Sequence, residues 1–508
     1  MKPDKNSQKS LCPCLAVFGT GSDVGKSVIA TGLCRYFANQ GIRVAPFKAQ
    51  NMSNNAGVTP EGLEMGRAQI VQAEAARIPP HVDMNPILLK PTSDIGSQVI
   101  LMGKAVENAT AAEYHHKKAS IFNTAGESLD RLRRKYDLVI MEGAGSCAEV
   151  NLMAHDIVNF KMAEYADAPV ILVADIHRGG VFAQIAGTMT CLPPEKQNRV
   201  AGFMVNRFRG DLSLFDEGVD WIQAKIGKPC FGVVPWFTGF EIEQEDSVVI
   251  EQPRPVTVTQ TRRPAVAVIR IPHISNFTDV DPLKRLDGLD LYFIEQCQDL
   301  SPFAVVILPG SKNTCFDLRW LHETGWADAL TRFVRQHGAV TGICGGYQMM
   351  GQTVSDPDGL EGRPGDVPGL GLLPIETTLQ APKTTTLTRF SYDGAEGTGY
   401  EIHMGHTRRL AGRPLVTILA RNGNPVNEPD GTWLPETRLM GTYLHGFFDS
   451  SAVTRCWLDA MGLDQIRVNG VHGPASRDRD YDLLAAHLTT HIDIPAIEAL
   501  LRNQTERK

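Results

Sequence analysis

Two glycine-rich stretches of this 508-residue chain place reactive side chains where a turn of backbone can use them. In the first, "LAVFGTGSDVGKSVIATGL", an apolar run delivers Gly19, Thr20, Gly21, Ser22, Asp23, Val24, Gly25, Lys26 and Ser27 to the start of an amphipathic stretch. A loop at such a junction turns its N–H groups inward at a helix N-terminus, where the helix dipole favours phosphate. Lys26 would then reach the terminal phosphates of a nucleotide, and the Ser27 hydroxyl would ligate Mg2+. The usual spacing is G-x-x-x-x-G-K-[ST]; here position 20 is threonine and the leading glycine, Gly19, stands one residue further back. In the second stretch, "GAVTGICGGYQ", Cys344 ends an apolar run among Gly342, Gly345 and Gly346. A nucleophile on a sharp strand-to-helix turn is strained and needs small neighbours. A helix N-terminus behind the sulfur favours thiolate, and the Gly345 N–H could hold an oxyanion.

Each centre needs partners. In "DLVIMEGAGS", Glu142 ends a buried run and would lie at the carboxyl edge of a parallel sheet beside the phosphate loop, as a Mg2+-side carboxylate. Asp175 in "LVADIHRGG" has the same strand-end position and equally suits a cap for a helix starting near Val181. For Cys344 the base is His445 in "GTYLHGFF", and Gly310 in "VVILPGSKNT" leaves loop N–H groups for a second oxyanion donor. Thiolate, imidazole and oxyanion donors together make acyl-transfer chemistry.

The elements that must position these groups follow from the apolar pattern. Runs at 14–19, 42–48, 137–143, 168–175, 200–206 and 230–236 alternate with helix-like segments such as 26–40. Such runs predict a parallel sheet covered on both faces. Residues 241–264, charged and proline-bearing, read as a linker, after which strands resume at 265–272, 289–295, 303–310, 338–344, 399–407 and 441–448. Segment 352–398, rich in Gly, Pro, Asp and Thr, reads as long loops. The expected organisation is a flexible 1–13, a P-loop domain over 14–240, the linker, a second α/β domain over 265–450 and a helical extension over 451–508.

The loop form G-T-x-S-x-x-G-K-S, with "EGAGS" downstream, resembles the dethiobiotin synthetase-type P-loop fold, and implies ATP-driven phosphorylation of a carboxylate. Partitioning ATPases share that fold, so the loop alone leaves the reaction open. Cys344-Gly345-Gly346-Tyr347-Gln348 resembles the elbow of class I (triad-type) glutamine amidotransferases, which have a flavodoxin-like domain, and "LPGSK" and "YLHG" match that family's oxyanion loop and histidine strand. There the cysteine attacks the glutamine side-chain amide and releases ammonia, and the position of Gln348 helps bind glutamine. Common members carry a glutamate two residues after the histidine; here that residue is Phe447, which leaves Glu401 and Asp449 as candidates to orient His445.

Two doubly wound domains in this order are similar to the cobyric acid synthase family of corrinoid biosynthesis. "PFKAQNMSNNA", "PTSDIGSQVILMGK", "HRGGVFA" and "GYEIHMGHT" extend the match from about residue 14 to 448. The resemblance implies amidation of the b, d, e and g carboxylates of adenosylcobyrinic acid a,c-diamide, with ATP, Mg2+ and L-glutamine. A near relative, cobyrinic acid a,c-diamide synthase, carries aspartates shortly after the lysine of its second strand; "KAQNMSNN" here has amides and no acid, which favours the first family. A P-loop nucleotide switch with an inactive second half is the rival reading. Cys344, Gln348 and His445 standing together argue against it.

Bulk composition narrows the field further. A net charge of −7 argues against non-specific nucleic-acid binding or a polybasic membrane anchor. No apolar run approaches the ~20 residues a bilayer demands, and "MKPDKNSQKS" is a poor signal peptide, so a cytoplasmic location is expected. The 10 cysteines include no C-x-x-C pair and read as small buried hydrophobes in a reducing compartment.

Overall fold

The computed structural model describes residues 11–91, 96–110, 118–240, 242–243, 263–469 and 473–506. Most of the expected linker and the first ten residues therefore lie outside the described residues. In the first half six strands form one parallel sheet, ordered Cys230–Pro235, Val200–Phe208, Val170–Asp175, Cys14–Gly19, Leu138–Glu142 and Val44–Phe47. They are the six strands the apolar runs announce, because helices cover both faces and little along these strands has to meet water. The register sets Val17 beside Glu142 and Gly19 beside Val173, so the central strand and its neighbours end together at one edge.

One face of this sheet is completed from the far end of the chain. Helix Lys26–Asn39 packs on Leu15, Val17, Ile140 and Ile171, and the tail helices Gly473–His491 and Ile494–Glu506 add Leu484, Leu488, Ile497 and Leu501 to the same core. Contact is close because residue 32 has no side chain: a Cβ there would lie 2.2 Å from Leu488 Cδ1. Arg35, fully buried, donates to Asp482 at 2.8 Å and pairs with Asp478. Gln504 Oε1 accepts the backbone N–H of Cys14 at 2.8 Å.

The second half holds a six-stranded sheet ordered Asp290–Ile294, Ala265–Ile269, Val305–Leu308, Ala339–Ile343, Leu439–Thr442 and Thr432–Leu434, parallel except for the last edge strand. Segment 352–398 corrects the expectation of long loops. Ile375–Tyr392 and Ala395–Arg409 form a long antiparallel hairpin within a second sheet. Its threonines favour extended backbone, but only one face is consistently buried, so it lacks the unbroken apolar run that marks the other strands.

Between Leu379↔Gly405 and Thr384↔His403 the hairpin register shifts, so residues 380–383 stand opposite residue 404 alone. Such an insertion re-aims side chains, and here Lys383 reaches the first half, 2.7 Å from Glu64 Oε2, while Lys90 holds Oε1 at 2.9 Å. Lys383 and Lys90 hold the buried Glu64 carboxyl down to about 2 against the opposing effect of burial, while the same burial brings Lys383 itself down to about 7. Ile402, Leu387 and Tyr400 pack beside this bridge on Ala56, Val58, Leu88 and Ile100, so the halves share an apolar interface. Among the described residues no helix is long and apolar enough to cross a membrane.

Leu488→Ala should destabilise the first half by about 2–5 kcal/mol through the cavity left over Gly32. A lowered midpoint of urea unfolding, with the second sheet unaffected, is the expected reading.

Candidate active site

The phosphate loop is shaped by a side chain from another strand. Asn206, near the end of Val200–Phe208, donates Nδ2 to Val24 O at 2.9 Å. Gly25 has φ +95°, and a Cβ there would lie 2.0 Å from that same nitrogen, so only glycine fits. Lys26 Nζ crosses the loop to Gly21 O (2.8 Å) and Gly145 O (3.0 Å). Ser27 Oγ donates to Glu142 Oε1 at 2.9 Å, as does Lys48 Nζ, and Gln72 Nε2 donates to Oε2. The structure thus brings Lys26, Ser27 and Glu142 together at the sheet edge. Asp175 does not cap the helix Val181–Cys191, which begins at Gly180 with no side-chain cap; it accepts from the His177 N–H in the preceding turn and from Arg207 at 3.1 Å.

Mg2+ usually takes only one or two protein oxygens and completes its shell with phosphate and water. Ser27 Oγ beside Glu142 Oε1 fits that habit, and among the described residues no cluster of three His, Cys, Asp or Glu offers an all-protein cage. Gln72 Oε1 in this corner, and Gln69 Nε2 one turn away on the same helix, are buried without hydrogen-bond partners. Buried polar atoms are rarely left so unless something else satisfies them.

In the second half, Cys344 follows the strand Ala339–Ile343 with φ +50° and ψ −107°, a conformation a non-glycine residue adopts only under strain. Helix Gly345–Met349 begins directly behind it. The oxyanion-loop backbone comes in close: a Cβ on residue 345 would lie 2.7 Å from the Ser311 nitrogen. Gly310 and Ser311 are held by pairing with Ile274–Ser275. The Cys344 thiol faces the Ile402 carbonyl at 3.6 Å.

His445 lies three residues beyond its strand and is 1% exposed. Its Nδ1 is 2.7 Å from Asp279 Oδ2, and the other oxygen of Asp279 accepts the Gly446 N–H at 2.9 Å. The partner of His445 is therefore Asp279, which corrects both expected candidates. Glu401 is engaged by Arg421 at 2.9 Å and by Thr386 and Thr388, and Asp449 by Arg477 at 3.0 Å. Phe447, where a glutamate would stand, is core, stacked on Phe390 at 5.8 Å. Asp279 comes from the turn Phe277–Val280, far from His445 in sequence; its one signal was an acid in the loop after the first strand of a parallel sheet.

Burial lowers the proton affinity of His445, but the Asp279 charge and Cys344 more than reverse this and push its pKa up to about 10. With Nδ1 bound to Asp279, Nε2 is left for the sulfur's proton and for a leaving nitrogen. Gln348 is buried: Thr314 Oγ1 donates to its Oε1 at 3.0 Å, and its Nε2 donates to Tyr443 OH at 3.2 Å. Both ends of its amide are thus held by protein side chains.

Residues 15–249 match the CobQ/CobB/MinD/ParA nucleotide binding domain, and residues 265–453 match the CobB/CobQ-like glutamine amidotransferase domain. Fold and matches define the class, a glutamine-hydrolysing amide ligase built on a nucleotide-binding half. The cobyric acid synthase of Chlorobium phaeobacteroides strain BS1 is 49% identical over 96% of this chain and 99% of its own. That of Chlorobaculum tepidum is 47% identical over 96% and 97%, and that of Syntrophobacter fumaroxidans 45% over 96% and 98%. The chain belongs to the cobyric acid synthase family.

Asp279→Asn keeps the shape but removes the charge that holds the His445 proton. Glutamine hydrolysis should fall on the order of 10²–10⁴-fold. In the parent protein hydrolysis should be lost as pH rises through about 10, where His445 loses its proton. In the variant a pH–rate profile should place that alkaline limb at lower pH.

Proposed function

We propose that the two centres work in series on a corrinoid: the second half frees ammonia from glutamine, and the first half activates a carboxylate to receive it. The observation that carries this is the pairing of a strained cysteine and an Asp279-bound His445 in one half with Lys26, Ser27 and Glu142 at a sheet edge in the other. Cys344 sulfur, its proton already held on His445 Nε2, attacks the carboxamide carbon of glutamine. Backbone N–H groups at Gly345 and the Gly310 loop hold the oxyanion. His445 returns the proton to nitrogen, ammonia leaves, and water hydrolyses the thioester to glutamate and free Cys344.

In the first half, residues 19–27 hold ATP, the loop N–H groups and Lys26 gathering the phosphates. Ser27 and Glu142 would hold Mg2+, which offsets phosphate charge as the terminal phosphorus is attacked. An acceptor carboxylate oxygen attacks that phosphorus and ADP leaves. Ammonia then attacks the carbonyl carbon of the acyl phosphate, and phosphate departs as the amide forms. Gln69 and Gln72 supply amide donors and acceptors suited to carboxylate and product amide alike. The family resemblance supplies the acceptor: adenosylcobyrinic acid a,c-diamide, converted at its b, d, e and g carboxylates to cobyric acid.

Formation of ADP and glutamate should depend on that corrinoid, and a corrinoid-independent rate would overturn the assignment. Cys344→Ala should abolish amidation from glutamine, by roughly 10⁴-fold or more, while leaving amidation from ammonium salts. Lys26→Ala should remove both, since neither nitrogen source reacts with an unactivated carboxylate.

A further inference from the structure

The tail beyond residue 453 lies outside both matched domains, yet one of its side chains touches both halves of the enzyme. Arg477, one turn into helix Gly473–His491, donates Nε to Glu74 Oε2 at 3.0 Å and Nη1 to Asp449 Oδ2 at 3.0 Å, with Glu243 3.6 Å away. It is 11% exposed. Glu74 belongs to helix Arg67–Ala75, whose Gln72 binds Glu142 in the phosphate corner. Asp449 ends the short turn Phe447–Asp449, entered directly from His445 and Gly446, and its N–H returns to the Gly446 carbonyl at 3.0 Å. One guanidinium thus spans the helix that reaches the phosphate corner and the turn that carries His445.

The surrounding charges make this contact more than a peg. Arg67 forms a two-pronged pair with Glu243 at 2.6 and 2.9 Å, and Tyr481 OH donates to Glu74 at 2.9 Å. Two guanidinium groups therefore face three carboxylates, Glu74, Glu243 and Asp449, in a partly buried pocket. Burial already pushes the Asp449 carboxyl up, against the pull of Arg477. Without Arg477, three acids would face Arg67 alone, and an unpaired buried charge is expelled or forces its neighbours apart. The 447–449 turn is packed through Phe447 and Phe448, so the part left to shift is its polar end, where Asp449 meets Arg477.

We infer that Arg477 is a positioning residue for glutamine hydrolysis, holding the His445 turn against helix Arg67–Ala75. Its partners are Glu74, Asp449 and Glu243, none of which belongs to the Cys344 or Lys26 centre. This rests on the reading of His445 as the base of the glutaminase centre.

Arg477→Met, close in length and without charge, tests it. Glutamine hydrolysis should lose kcat by about tenfold or more, the scale of a displaced catalytic base, with KM for glutamine little changed. Amidation from ammonium salts should persist within about twofold, and Arg477→Lys should restore part of the glutamine-dependent rate. Equal loss with both nitrogen sources would show a merely structural role and overturn the inference, as would an unchanged glutaminase kcat. Should Arg477→Met fail to fold, Asp449→Asn carries the same expected split from the other side of the contact. A wild-type protein unable to hydrolyse glutamine would instead sink the underlying reading, so the two failures are distinguishable.

Discussion

Both chemical centres stand where a buried parallel strand ends and its backbone groups run out of ladder partners. At that edge N–H groups must find something else to bind, and in one half they lie in the loop over Thr20–Gly25, in the other behind Cys344. Charge enters on the same terms. Glu142 and Asp279 sit at or just beyond strand ends, where a carboxylate can be buried because lysine, hydroxyl, amide or imidazole meets it within hydrogen-bond distance. The apolar sheets make the electrostatics strong, and the edge is the one place where polar groups can be assembled without opening the core.

The two halves are then bound to each other by charges that neither could bury alone. Glu64 is shared by Lys90 from its own half and Lys383 from the hairpin bulge, and Ala56 N donates to Asn276 Oδ1 at 2.9 Å, three residues before Asp279. The interface strand also carries Ile402, whose carbonyl faces the Cys344 sulfur and whose side chain packs on Val58 and Leu88. A single residue of that strand thus meets both the Cys344 sulfur and the apolar seam, which keeps Cys344 close to the other half.

How much of this could be read beforehand depended on what each residue faces. Strands buried on both faces show as unbroken apolar runs, so all six of the first sheet and both glycine elbows were legible. The Ile375–Tyr392 hairpin was not, because its threonine-rich, half-exposed pattern resembles a polar loop. Asp279 was missed for a different reason: a side chain that works through space leaves no spacing in sequence, and Phe447 at the usual acid position pointed to nearby acids instead. The tail helices were legible as helices, but amphipathicity says that a face will be covered without saying by what. That Leu484 and Leu488 would meet Gly32 is a fact of the fold alone.

The lid that residues 473–506 form over the opening strand has a consequence for biosynthesis. A ribosome delivers the nucleotide-binding sheet first, but the helices that shield Leu15, Val17 and Ile29 emerge only after the entire amidotransferase half has been made. The first domain must therefore wait, partly uncovered, for the last. A nascent or prematurely terminated chain would leave that sheet face bare to chaperones and proteases, and the cell would be spared a stray phosphate-loop half with no ammonia source attached.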